Sequence, residues 1–275
     1  MPSTYAHWLF GQKVFEILPG DIKSSISADP TLFNIGLHGP DLLFYYKPLS
    51  KNAVNALGFE IHAESGLDFF SLAGKTVRNA AFAPEYLSYI YGVICHFVLD
   101  RACHGFIDGY ISRTGISHTE IETEFDRYLI TRHGGNPLNA DLTEHIRINP
   151  HRSAVISRFY CGTSPKQINE AANSMRLYHQ ILRCPFGVKG AVIRKILKAT
   201  GNYDDMHGLL VNRHPNEKCR ESTIELLKRF RNAEREAVQL ITEFKSSAAG
   251  KTEWNRLYQY TFGSEFKGDN AEETA

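Results

Sequence analysis

The feature that most constrains this chain is a ladder of titratable groups set into an apolar helical run. After Pro84, which suits a first helical turn, Tyr86, Tyr89, Tyr91, Val93, Phe97, Leu99 and Cys103 follow a helical period. Between Ile90 and His104 the ionisable side chains, tyrosine and cysteine aside, are His96, Asp100, Arg101 and His104. Residues four apart on a helix share a face, with Cβ atoms about 6 Å apart. His96, Asp100 and His104 therefore form one stripe, which Arg101 does not join. Burying an unpaired charge costs roughly several kcal/mol, so a bundle that encloses this stripe must neutralise it.

The rest of the chain has the same period, without alternating strands or hairpin signals, and the expected fold is all-α. A first helix starts after Ser3 or Thr4, carries His7 in its early turns and stops at Pro19-Gly20. Asp29-Pro30 and His38-Gly39-Pro40-Asp41 mark loops, the second opening an aromatic helix over 42–46. Further helices are expected over 67–79, from Pro84, after a Ser117 cap, and over 165–183, 187–199 and 222–247. The Gly105 to Gly115 stretch reads as a break, and 134–153, rich in Gly, Asn, Pro and His, as a long irregular loop. One helical domain over 1–265 with a disordered acidic tail over 266–275 is the simplest organisation.

Composition narrows the function classes. A chain of 275 residues can bury a sizeable core without disulfide staples. A formal net charge of +1 supplies no global field for nucleic acid or anionic lipid, and no stable nucleic-acid partner is expected. The five cysteines are odd in number and unevenly spread, and the start MPSTYAHWLFGQ lacks a signal core. Reduced thiols and a cytoplasmic location are the expectation. The apolar stretch 83–99 reads as too short and too polar to span a bilayer, which leaves peripheral membrane contact.

A second pair, His118 and Glu122, repeats the four-residue spacing on the next helix. Alone, either pair reads as an ion pair or a satisfied core histidine. Two pairs separated by one loop, with further His and Asp upstream, read better as ligands, because zinc accepts imidazole nitrogen and carboxylate oxygen together.

The series His7, Asp41 in a Gly-Pro-Asp turn, His62, HFVLD (His96 to Asp100), His104 and HTEIE (His118 to Glu122) resembles the zinc-dependent phospholipase C family. That family shares its all-helical fold with the fungal single-strand-specific nucleases, and the resemblance covers about the first 130 residues. It implies up to three zinc ions: one on Asp41, His62, His96 and Asp100, a second shared by Asp100 and His7, and a third on His104, His118 and Glu122. It also implies Asp41 as general base in phosphodiester hydrolysis, with a phospholipid or other small phosphodiester as substrate. Two departures stand out. The chain begins Met1-Pro2 where the family has a ligating mature Trp, leaving Pro2, His38 or water for that place, and the histidine after the first pair comes sooner than in the secreted enzymes.

Other features have two readings each. Phe10, Phe44, Tyr45 and Tyr46 can wall a cation or base site or simply fill a core. Cys95 and Cys103 point about 100° away from their neighbouring ligands, as small core residues. His133, His145 and His151 read as solvated loop histidines or as a gate over the site. The basic residues over 194–198 and 218–235 form a headgroup patch or exposed helix faces. His207 has no interpretable partner spacing.

Overall fold

The computed structural model describes residues 3–183, 186–199 and 209–268. Eleven α-helices run through these residues, whose only β pairing is an isolated bridge between Tyr260 and Phe266. They are α1 (Thr4–Ile17), α2 (Gly20–Ala28), α3 (Pro30–Gly36), α4 (Ala53–Ala63), α5 (Gly66–Asn79), α6 (Pro84–Thr114), α7 (His118–Arg132), α8 (Pro150–Ser157), α9 (Pro165–Leu182), α10 (Gly187–Ala199) and α11 (Arg220–Ala248). The fold is all-α. His207, Cys184, Pro2 and the tail beyond Gly268 lie outside the described residues.

The central element is α6. One apolar stretch of it is long and apolar enough to cross a membrane, but 72% of that window is buried inside the protein. Every side chain from Leu87 to Asp100 is buried, which makes α6 the core helix around which α1, α2, α3 and α11 pack. It approaches α3 most closely at paired glycines. A Cβ on Gly92 would stand 2.2 Å from the Phe33 carbonyl oxygen, and one on Gly36 would stand 2.3 Å from that of Tyr89. Backbone meets backbone there, and no larger residue fits without separating the helices.

Several boundaries differ from the sequence reading. Residues 105–114 continue α6, which ends only at Gly115 in the left-handed region (φ 69°). The expected aromatic helix is a 3-10 turn, Gly39–Tyr45. Helices α2, α3 and α4 are additions, α3 capped by the Asp29 carboxylate and α4 by the Asn52 side chain. The irregular segment after α7 is shorter than expected, because Asn149 caps α8 and Pro150 opens it. At the far end, Lys267 N–H donates to the Gln259 carbonyl at 2.9 Å, and Phe266 pairs with Tyr260.

Ser3 precedes α1 as expected, but its hydroxyl makes no cap hydrogen bond. The cap comes from α7. The Asp126 carboxylate accepts from Tyr5 N–H at 3.0 Å and Ala6 N–H at 2.8 Å. Burial pushes the Asp126 carboxyl up to about 8, against the pull of those two donors. This link fixes the start of α1, and with it His7, against the helix that carries His118 and Glu122.

Candidate metal centre

Helix α6 projects His96, Asp100 and His104 from successive turns of one face. Arg101, as its spacing predicts, turns elsewhere and pairs with Glu236 on α11. Four further elements bring side chains to the stripe: α1 brings His7, the 3-10 turn Asp41, α4 His62, and α7 His118 and Glu122. His7, Asp41, His96, Asp100 and Glu122 are buried, while His62, His104 and His118 are partly exposed.

The donor atoms form two groups joined by one carboxylate. Asp41, His62, His96 and Asp100 place one potential ligand atom each within 4.8 Å of one another, as do His104, His118 and Glu122. In the first group His62 Nε2 lies 2.9 Å from Asp41 Oδ1, and His96 Nε2 lies 3.2 Å from Asp100 Oδ2. In the second, His118 Nε2 is 3.2 Å and His104 Nε2 3.8 Å from Glu122 Oε1. Asp100 Oδ1 faces the other way, 3.1 Å from His7 Nε2 and 3.5 Å from His104 Nε2.

Two of these approaches, His7 Nε2 to Asp100 Oδ1 and His118 Nε2 to Glu122 Oε1, are within hydrogen-bond distance, but most of the converging atoms have no such partner. Asp41 Oδ1, His62 Nε2, both ring nitrogens of His96, Asp100 Oδ2, His104 Nε2 and Glu122 Oε2 are all buried and without a hydrogen-bond partner. The tautomer of His62 gives the physical reason. Its Nδ1 lies 2.7 Å from the Gly58 carbonyl, which can only accept, so Nδ1 carries the proton. In a neutral ring Nε2 then presents a lone pair to the Asp41 oxygen, and two lone pairs at that distance repel unless a proton or a metal ion lies between them. Buried imidazole and carboxylate with their lone pairs convergent is the donor set of a zinc site, and the Gly58 bond orients a ligand ring from behind.

Local backbone permits this packing. Gly39 sits at φ 48°, and a Cβ there would fall 2.4 Å from His96 Cδ2, so only glycine lets the turn carrying Asp41 press onto the His96 ring. Ser117 caps α7 through Glu120 N–H, placing His118 at its first position and Glu122 one turn on.

Electrostatics follow the same division. Burial holds His96 neutral, down to about 4. Burial also disfavours a charged His7 or His62, yet Asp100 and Asp41 respectively outweigh it and raise both. Glu122 raises His118. Asp100 lies well below the usual carboxylate range and Glu122 falls to about 2: burial opposes both shifts, and the surrounding imidazoles overcome it.

The histidine outside these groups that the sequence reading misplaced is His145. It is half-buried, not a solvated loop residue: its Nε2 lies 2.7 Å from His38 Nε2, and its ring stacks on His38 and Trp8. His38 is thereby engaged and joins neither donor group. His179, on α9, was not singled out by sequence; its Nε2 lies 3.1 Å from Tyr45 Oη and 3.3 Å from Thr4 Oγ1. No local motif marks either contact, since the partners are over 100 residues apart. His133 folds back on the Leu129 carbonyl, and exposed His151 stands 3.9 Å from Glu85.

The four aromatics divide. Phe10 is fully buried against Phe230, and Tyr46 lies beneath Lys47. Phe44 stacks near His62, ring centres 5.2 Å apart, and with Tyr45 lines a largely apolar cavity of about 860 Å³. Thr123 and Asp126, one and four residues after Glu122 on α7, line the same cavity. Cys95 and Cys103 are buried, and burial raises both thiols.

The sequence model of the family described as zinc dependent phospholipase C matches residues 6–174. That span includes every residue of both donor groups. No curated protein and no solved structure matches the chain.

Proposed function

Because the chain belongs to the zinc-dependent phospholipase C family, with zinc the cofactor that family and donor set call for, we propose that it hydrolyses a phosphodiester. The observation that carries this reading is the convergence of buried, unpartnered imidazole and carboxylate atoms on two adjoining points. In this reading Asp41, His62, His96 and Asp100 hold one ion, Asp100 and His7 a second, and His104, His118 and Glu122 a third. Zinc supplies Lewis-acid polarisation of phosphoryl oxygens and acidifies water in contact with it, towards a pKa of about 7.

The chain's own groups do the rest. Asp100 directs one oxygen to each side and fixes the separation of the two donor groups. Asp41 accepts the proton of the attacking water as general base, from a carboxylate held between His62 and His96. His118 has a side chain 34% exposed where His96 has none, so the second group is the end of the centre that substrate reaches. The apolar cavity beside Phe44 and Thr123 receives the non-reacting part of the substrate, which favours a phospholipid or similar small phosphodiester.

Metal analysis and a phosphodiester screen test the reading together. The purified chain should carry zinc and cleave bis(p-nitrophenyl) phosphate and a dispersed phospholipid, and chelator should abolish both activities. Asp100→Asn should remove zinc from more than one position and lower turnover by at least ~100-fold. Zinc at full occupancy with no phosphodiester cleaved would make this a zinc-stabilised helical protein, and cleavage of single-stranded DNA alone would make it a nuclease.

A further inference from the structure

Tyr45 ends the 3-10 turn that carries Asp41 and lines the cavity of about 860 Å³ together with Phe44 and Thr123. Phe44 packs near the His62 ring and Thr123 follows Glu122 on α7, so this wall adjoins both donor groups. Burial raises the Tyr45 phenol above its ordinary value, and the Asp41 and Glu122 carboxylates add to the shift. One of those acids belongs to each donor group. The phenol therefore keeps its proton at neutral pH, within electrostatic reach of both groups.

From α9, His179 Nε2 meets this hydroxyl at 3.1 Å and Thr4 Oγ1 at 3.3 Å. His179 lies beyond the family match at 6–174, and neither it nor Tyr45 belongs to a donor group. Burial holds the imidazole at about 4, so at pH 7 it is neutral and has one N–H to give. Among the described residues the Tyr45 hydroxyl has no other hydrogen-bond partner. A phenol has one hydrogen to donate and can accept as well. When Nε2–H of His179 donates to Tyr45 Oη, the phenolic O–H is left to turn into the cavity. Packing alone calls for no such bond, since Phe44 and Phe59 line the same cavity without a hydroxyl.

We infer that Tyr45 donates a hydrogen bond to a non-bridging phosphoryl oxygen of the substrate, and that His179 is its positioning residue, donating Nε2–H to Tyr45 Oη. The role rests on the hydrolytic reading and adds a contact to it. With Asp41 and Glu122 committed to metal, a phosphoryl oxygen is the acceptor left for this donor. A fixed, neutral O–H supports charge on that oxygen without bringing another ion into a largely apolar cavity.

The test uses the full zinc-loaded chain, with inorganic phosphate as the ligand in calorimetry and bis(p-nitrophenyl) phosphate as the substrate. Tyr45→Phe should weaken phosphate binding and lower kcat/KM by at least about tenfold each, the loss of one hydrogen bond to a charged group. Its zinc content should be unchanged. His179→Ala should reproduce most of that loss, and His179→Gln should recover it, because the glutamine amide also offers an N–H donor. The Tyr45→Phe/His179→Ala pair should be no worse than Tyr45→Phe alone, since the two act as one unit. Tyr128→Phe, which removes a hydroxyl on α7 that accepts from Arg132, should change neither reading.

Wild-type phosphate affinity and kcat/KM in Tyr45→Phe would overturn the contact and leave the hydrolytic reading standing. Zinc lost from that variant would also overturn it, by making Tyr45 part of the scaffold. Additive losses in the double variant, or no recovery with His179→Gln, would remove His179 from the role. A wild type that binds phosphate but cleaves no phosphodiester would sink the hydrolytic reading alone, because the Tyr45→Phe affinity still reports the contact. Neither binding nor cleavage by the wild type would sink both.

Discussion

In the proposed centre, protons and metal would compete for the same nitrogens. His7 is buried and His62 largely shielded, and desolvation alone would make them give up protons early, but Asp100 and Asp41 raise both. His118 is raised by Glu122. In the metal-stripped chain the stability these raised histidines contribute is fully present below about 6.5, the unfolded value, and is lost as pH rises through their folded values. Zinc needs the same rings neutral, so at low pH it must displace their protons and at higher pH it displaces none. The rise in Tm given by zinc over chelator should therefore grow from about pH 6 to about pH 8. His38, held well below its ordinary value by burial, and His145 and His179, held at about 4 by the same cause, are neutral across this range and add nothing to the difference. Paired thermal unfolding with zinc and with chelator measures this increment. A constant increment across that range would remove His7, His62 and His118 from the ligand set.

Among elements, the crossing of α3 and α6 governs where the ladder stands. Gly92 lies one turn before His96 on α6 and touches the Phe33 carbonyl and Gly36 backbone of α3. Gly92→Ala must push the two helices apart, an overpacking expected to cost about 1–3 kcal/mol. It should also weaken zinc binding, because His96 moves with its helix. Gly109→Ala, on the same helix but with nothing within 4 Å of the added Cβ, should instead stabilise by up to about 1 kcal/mol. Denaturant titration and zinc affinity of the two variants check this; equal effects would mean that the crossing has room to spare. The same helix shows what the sequence made legible and what it hid. Pro84, the apolar period and the four-residue spacing are local signals, and they located α6, its polar stripe and the helix capped by Ser117. Gly105 and Gly109 resemble punctuation because glycine lowers helix propensity, yet tertiary contact carries the helix through them: Ser264 packs against Gly105, and Ile107 and Tyr110 are buried. Asn52 and Asp29 offered cap signals for α4 and α3, but short helices leave too little periodicity to register. Asp126 and His145 gave no local signal at all, because their partners are set by the packing of α1, α7 and the 3-10 turn.

For the whole molecule, the question is whether the C-terminal helices belong to the centre's scaffold. The family match ends at residue 174, before α10 and α11. The elements of the candidate centre nevertheless lean on the C-terminal region: α11 packs against α1, α5, α6 and α7, the helices that carry or flank the donor residues. Phe244 on α11 is fully buried between the rings of Tyr91 and Trp254. Tyr91 precedes His96 on α6 by little more than one turn, so the packing of α11 transmits directly to the ladder. We expect Phe244→Ala to cost about 3–5 kcal/mol, the range for emptying a buried phenyl site, and to lower zinc affinity although no ligand is touched. If α11 and the family-matched region share one core, urea unfolding followed by far-ultraviolet circular dichroism and by tryptophan fluorescence should give coincident transitions in the wild type and in the variant. The two tryptophans suit this comparison, since Trp8 lies on α1 near the centre and Trp254 follows α11. Transitions that separate, with zinc retained after the first, would show that α11 is an appendage and that the centre stands on residues 3–183 without it.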